Sequence, residues 1–241
     1  MGKGRGIFIT GTDTGVGKSI VAAVLATLLH HRGIRVGVMK PVSSGCRMAG
    51  GELLSDDAHL LASAIGEPVT DAVAPYRLTL PIAPSAAAER DGVTISFERI
   101  REALETISAT HDFVIVEGAG GLMVPLRGGF LVSDLVRFLQ LPLLVVARPD
   151  LGTVNHTLLT CFAARQMGLD LRGIVINRFP THPDEAEKTA PHLIDSLSGA
   201  PLLGRFPSVG GETDKERVTR LADILEHDPT IHILIREICR G

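Results

Sequence analysis

Residues Gly11–Ser19 read Gly-Thr-Asp-Thr-Gly-Val-Gly-Lys-Ser, set between an apolar run at Gly6–Thr10 and a helical pattern at Lys18–Arg32. A strand that enters a glycine-rich loop and leaves through Gly-Lys-Ser at a helix start leaves few folds open to the chain. Glycines let backbone N–H groups converge on phosphate oxygens, and the helix start adds its partial positive charge. Lys18 is placed to reach β- and γ-phosphates, and the Ser19 hydroxyl to ligate Mg²⁺. The strict pattern has glycine six residues before the lysine. Thr12 stands there instead, with Gly11 one residue earlier, so the loop is a variant.

Short apolar runs alternate with longer helical patterns through the rest of the chain. Strands are expected at Gly6–Thr10, Arg35–Lys40, Phe113–Glu117, Leu143–Ala147, Gly173–Asn177 and Leu202–Phe206. Several, such as Val114-Ile115-Val116, are apolar on both faces, as in a parallel sheet covered on both sides. Helices are expected near Lys18–Arg32, Asp56–Ile65, Phe97–Ala109, Val132–Leu139, Val154–Met167, Asp184–Leu197 and Lys215–Glu226. Gly33 stands where the first would be capped. The alternation predicts an α/β fold, a doubly wound, mostly parallel sheet flanked by helices on both faces, of the P-loop type. Without a repeat, linker or low-complexity tract, residues 1–241 are read as one domain. The apolar tail Ile231–Arg240 is either a last strand or part of a subunit contact.

An acidic residue ending an apolar strand complements a phosphate loop, because Mg²⁺ needs carboxylate help. Phe113-Val114-Ile115-Val116-Glu117 has that form, and Gly118-Ala119-Gly120-Gly121 follows it. Strand C-termini line the crevice of an open α/β sheet, so Glu117 and the loop are expected on one edge. Lys40 ends the second strand, before Pro41-Val42-Ser43-Ser44-Gly45, and points to the same crevice. Asp56-Asp57 opens the next helix, where acids are favoured in any case.

Taken together, Gly11–Ser19, Lys40–Gly45, Glu117–Gly121 and Asp150-Leu151-Gly152-Thr153-Val154-Asn155-His156 resemble dethiobiotin synthetases in order and spacing, across residues 6–210. The longer phosphate loop is the form that family uses. The resemblance implies an ATP-dependent ligase of biotin synthesis that closes a ureido ring on 7,8-diaminononanoate with CO2, releasing ADP and phosphate. It implies that ATP lies on Gly15, Val16, Gly17, Lys18, Ser19 and Ile20, with Gly118, Ala119 and Gly120 alongside. Asn177 and Arg178 would face the adenine, beside Pro207, Ser208 and Val209. Ser19, Asp57 and Glu117 would hold Mg²⁺, and Lys18 and Lys40 would be the catalytic cations. Ser44 would touch the diamine. Gly152, Thr153, Val154 and Asn155 would receive its carboxylate from the partner of a homodimer. The family's late acidic nucleotide contact falls on either Glu212 or Asp214.

Other classes fit less well. A partition- or septum-type ATPase switch carries a lysine six residues before the loop lysine, and here that residue is Thr12. A cobyrinate-type amide ligase is nearer in chemistry. The net charge of -3, with no basic cluster, gives no general attraction for nucleic acid or anionic lipid. No apolar run approaches the roughly 20 residues of a membrane span. Met1-Gly2 lacks the Ser or Thr of an acylation signal, since residue 6 is glycine. Cys46, Cys161 and Cys239 form no metal-binding spacing and read as reduced thiols of a cytoplasmic protein. The scattered histidines, His30, His31, His182 and His192 among them, read as surface residues.

Overall fold

The computed structural model describes residues 6–240. The Met1-Gly2 dipeptide and Gly241 lie outside them. Six strands form the central sheet: β1 (Gly6–Gly11), β2 (Val36–Met39), β3 (Phe113–Gly121), β4 (Leu143–Ala147), β5 (Leu171–Phe179) and β6 (Leu202–Pro207). They are all parallel, in the order β6-β5-β4-β1-β3-β2. Chain order reverses at β1, which lies between β3 and β4, and this switch point opens a crevice at the strands' C-terminal ends.

The two-sided apolar strands follow from two separate cores. Ile7, Ile9, Ile115, Leu144 and Val146 face one, beneath α1 (Lys18–His31), α2 (Asp56–Ala64) and a late helix at Asp214–Glu226. Phe8, Val114, Val116, Val145 and Ala147 face the other, beneath helices at Pro84–Arg90, Phe97–Ser108, Val132–Leu139, Thr153–Gln166 and Glu185–Leu197. In chain order these five are α3 to α7, and the Asp214–Glu226 helix is α8. Gly33, with φ 76°, donates to the His30 carbonyl while Ile34 donates to that of Leu29. This pair of bonds is the left-handed cap expected at the end of α1.

Three features differ from expectation. The tail is a helix, α9 (Ile231–Cys239), whose Ile231, Leu234 and Ile238 are buried in the first core. Its sequence alternates at Ile231, Ile233 and Ile235, which suggests a strand, and also repeats at helical spacing, which the strand reading passes over. Strand β3 continues through its glycines to Gly121, because Gly118 has no Cβ to meet the Phe8 ring. Helix α3 and the short ribbons pairing Val42–Ser43 with Tyr76–Arg77 and Arg47–Ala49 with Glu52–Leu54 carry no periodic signal. Among the described residues, no helix is long and apolar enough to cross a membrane.

Candidate active site

The loop between β1 and α1 is held by its glycines. Gly15 and Gly17 have φ of 78° and 87°, a region that L side chains enter only with strain. The turn at Gly17 aims α1's first residue, Lys18, back into the loop, where its Nζ donates to the Asp13 carbonyl at 3.2 Å. Lys18 is only 6% exposed, and burial pushes its ammonium pKa down despite the nearby Glu117 carboxylate. A cation so placed favours an anionic ligand.

Ser19, one residue on, lies 2.8 Å from Asp57 Oδ1 and 2.9 Å from Glu117 Oε1. Its single hydrogen is therefore shared between two carboxylates. Sheet register brings Glu117 here: Met39 pairs with Val116, so Lys40 and Glu117 emerge side by side from adjacent strands. Lys40 Nζ is 2.6 Å from Glu117 Oε1 and 2.7 Å from Asp57 Oδ2. Burial alone would lower the Lys40 pKa, but Glu117 and Asp57 outweigh it and hold the ammonium above its usual range. Burial pushes the Glu117 carboxyl above its usual range, and Lys40 draws it only part of the way back. Asp57 is lowered below the usual carboxylate range, since Lys40 and Ser19 outweigh its burial.

The two acids opening α2 separate cleanly. Asp57 faces this cluster, while Asp56 points outward to Arg47 at 3.0 Å. Ser55 fixes that start by accepting from the Ala58 N–H, and its hydroxyl is 2.6 Å from Ser43 Oγ. The ribbon holding Ser43 thus sets the position of Ser44, which is exposed. Lys18, Ser19, Lys40, Ser44, Asp57 and Glu117 line one cavity of about 320 Å³, with Gly15, Gly17, Ala119 and Gly120 on its wall. Oε2 of Glu117 is buried there with no hydrogen-bond partner.

A second cavity, of about 170 Å³, adjoins through Ile20 and Arg178 and is lined by Asn177, Pro207, Ser208 and Val209. Asn177 is buried, and its Nδ2 donates to the Val16 and Gly17 carbonyls at 3.0 and 3.4 Å. Arg178 has φ 56° and donates from Nη1 to the Gly15 carbonyl at 3.0 Å. Between the two acids left open by sequence, Asp214 lines both cavities and Glu212 lines neither. Arg217, which pairs with Asp214 at 2.6 Å, also lines the second, and nothing in the sequence singled it out.

Residues Gly152–Asn155 lie apart from both cavities, at the start of α6. Gly152 is the N-cap, so the hydroxyl of Thr153 caps nothing; it is buried and donates to the Arg148 carbonyl at 2.5 Å. Asn155 is exposed. Cys46 and Cys161 are buried, and burial raises both thiols, Cys161 to about 11, so neither supplies a thiolate.

A parallel sheet with a lysine-bearing glycine loop at its switch point and two carboxylates facing the loop serine defines a P-loop nucleotide-binding protein. Residues 5–219 match the family model described as an AAA domain. The chain is 45% identical to the ATP-dependent dethiobiotin synthetase of Bacillus licheniformis, over 85% of this chain and 86% of that one. It is 42% identical to the Bacillus subtilis protein of the same name, over 90% and 93%. For the Thermodesulfovibrio yellowstonii protein of that name the identity is 38%, over 90% and 94%. The chain belongs to the dethiobiotin synthetase family. Among solved structures it is similar to a ParA family ATPase from Chlorobium tepidum, with TM-score 0.54, 17% identity and 98% of each chain covered. A chain of the MinC:MinD cell division protein complex of Aquifex aeolicus gives TM-score 0.56 and 19% identity, over 98% of this chain and 94% of that one. At those identities the likeness is one of fold.

Proposed function

We propose that the chain, acting as one P-loop α/β domain, closes the ureido ring of dethiobiotin on 7,8-diaminononanoate. It uses CO2 and ATP and releases ADP and phosphate. The observation that carries this is the convergence of Lys18 and Lys40 on one cavity that adjoins the Asn177 cavity. One substrate amine must be neutral to attack CO2, yet a free alkyl amine has a pKa of roughly 10, like lysine. Lys40 favours that deprotonation and stabilises the resulting carbamate anion. The carbamate oxygen attacks the γ-phosphoryl group while Lys18 neutralises charge on the transferring oxygens. The product is a carbamic–phosphoric mixed anhydride. The second amine attacks its carbon and phosphate leaves. No protein nucleophile is needed; positioning and charge dominate.

The donor set of Ser19, Asp57 and Glu117, with Oε2 of Glu117 buried and unpartnered, fits Mg²⁺, which takes one or two carboxylates beside nucleotide phosphates. Bound there, it would offset phosphate charge. Glu117→Gln is therefore expected to raise the Mg²⁺ concentration for half-maximal rate about tenfold or more. High Mg²⁺ should partly restore turnover. Unchanged activity at every Mg²⁺ concentration would leave Glu117 a plain strand-end acid.

With the Asn177 amide donating to the loop, its Oδ1 remains as an acceptor. That suits the amino group of adenine and not the carbonyl of guanine. The switch-protein alternative lacks its lysine at Thr12, and no feature of the site favours it. We place the enzyme in the cytoplasm, where the buried thiols Cys46 and Cys161 stay reduced.

We further propose a homodimer that shares its sites, with Gly152–Asn155 of one chain receiving the carboxylate of the diamine bound to the other. Free N–H groups at a helix start suit an anion. On α6, Leu159 and Phe162 are more than half exposed, and Leu159 lines with Met123 a cavity of about 330 Å³ that reaches Thr12 and Thr14. A buried Thr153 makes the exposed Asn155 the better probe. Asn155→Glu is expected to raise KM for the diamine at least tenfold, leaving that for ATP little changed. Mixing Asn155→Glu with Lys18→Ala should recover about a quarter of wild-type activity, because each mixed dimer keeps one intact site. Mixed dimers that form and recover nothing would sink the shared site.

The direct test of the reaction is the purified protein with ATP, Mg²⁺, bicarbonate and 7,8-diaminononanoate, the product identified by mass. ATP hydrolysis that proceeds without the diamine, with no dethiobiotin formed, would refute the assignment.

A further inference from the structure

Lys40 donates to two oxygens of the chain and forms an ion pair with a third. Its ammonium lies 2.6 Å from Glu117 Oε1, 2.7 Å from Asp57 Oδ2 and 3.4 Å from the Gly118 carbonyl, and the residue is 3% exposed. An ammonium has three donors and no acceptor, so Lys40 held in this way is turned to the acids and away from a carbamate. Its partners are also two of the three proposed cation ligands. Ser19 Oγ completes the ring, on Asp57 Oδ1 and again on Glu117 Oε1. Two carboxylates thus enclose a single ammonium, and the buried Oε2 of Glu117 has no donor at all. Lys18 lies in the same cavity, so two lysines already balance the two carboxylates, and an arriving divalent ion adds positive charge beside Lys40. A divalent ion on Ser19, Asp57 and Glu117 draws on the same two carboxylates, and it repels an ammonium in contact with them.

We propose that Lys40 and the divalent cation are alternative occupants of the Asp57–Glu117 pair, so that arrival of the cation with ATP turns Lys40 out toward Ser44 and only then arms it for the carbamate. No covalent step is involved. Lys40 is a placeholder cation on the buried Glu117 and the half-exposed Asp57, and it becomes a substrate ligand on exchange. The carbamate site is thereby completed only after the metal–nucleotide has bound. This rests on Ser19, Asp57 and Glu117 being the cation ligands.

The test reads divalent-ion uptake directly, with Mn²⁺ followed by electron paramagnetic resonance on the full chain. Without nucleotide, the wild type should take up Mn²⁺ weakly. Lys40→Met should take up one Mn²⁺ per chain at least tenfold more tightly, and adding Glu117→Gln to it should remove that gain. Equal Mn²⁺ affinity in wild type and Lys40→Met overturns the exchange. Glu117→Gln alone tests the ligand assignment separately. If it leaves Mn²⁺ uptake with ADP unchanged, that assignment fails. If uptake weakens while Lys40→Met gains nothing, only the exchange fails. Should Lys40→Met not fold, the wild type still decides. The chain has five lysines, so ¹⁵N-lysine labelling isolates the Lys40 Nζ signal, assigned by its loss in Lys40→Arg. Mg²⁺ with a non-hydrolysable ATP analogue should shift it, and the analogue with EDTA should not. A signal unmoved by the metal–nucleotide, or moved equally without metal, overturns the proposal.

Discussion

Replacing Lys18 with alanine is expected to lower kcat at least a hundredfold at saturating ATP, with the fold intact. Lys18 Nζ is a buried cation whose hydrogen bond is to the Asp13 carbonyl, at 3.2 Å. Losing one such bond costs stability about 1 kcal/mol. In the reaction the same ammonium faces charge that develops on the transferring phosphoryl oxygens. A donor aimed at such charge is worth roughly 3 kcal/mol or more, which is a hundredfold or greater in rate. The variant should therefore melt near the wild-type temperature and fail at the chemical step. Circular dichroism and single-turnover rates at saturating Mg·ATP separate the two. Near-normal turnover would remove Lys18 from the reaction and the loop from its role.

The parts of this site visible in the sequence are those whose spacing is local. Gly-Val-Gly-Lys-Ser after a strand, and an acid at the end of another, each follow from a single element. Their meeting does not. Lys40 and Glu117 touch because β2 and β3 are neighbours in register, 77 residues apart in the chain. Asn177 reaches the Val16 carbonyl across 161 residues. Sheet order supplies both contacts, and no window of sequence contains it. Local chemistry also leaves open which use a residue takes. Thr153 stands at a helix start, where its hydroxyl could cap, and burial turns it onto the Arg148 carbonyl. The tail's isoleucines satisfy a strand period and a helix period together, and the core beneath α9 decides between them. Asp56 and Asp57 are adjacent acids at one helix start. Only the direction of each side chain, one to Arg47 and one to Lys40, tells them apart.

The second large effect is expected at Gly17, where the phosphate loop and the proposed adenine site share an atom-to-atom contact. Gly17 has φ 87° and ψ 34°, so any side chain there meets left-handed strain of roughly 1–2 kcal/mol. A Cβ at this position would also run into Asn177 Nδ2. Asn177 cannot yield cheaply, because it is 1% exposed and its amide donates to the Val16 and Gly17 carbonyls. Displacing it gives up hydrogen bonds worth about 1 kcal/mol each. Gly17→Ala should thus weaken Mg·ADP binding by about 3 kcal/mol, roughly a hundredfold, and lower the melting temperature of the free protein. Gly15→Ala is the internal control. Its φ of 78° imposes similar strain, but a Cβ there meets nothing within 4 Å. It should weaken Mg·ADP binding by about five- to thirtyfold, since strain alone is at stake. Isothermal titration of both variants decides the matter. If they lose the same affinity, strain is the whole effect and the contact between Asn177 and the loop contributes nothing. If Gly17→Ala binds Mg·ADP as the wild type does, the nucleotide does not lie across this loop.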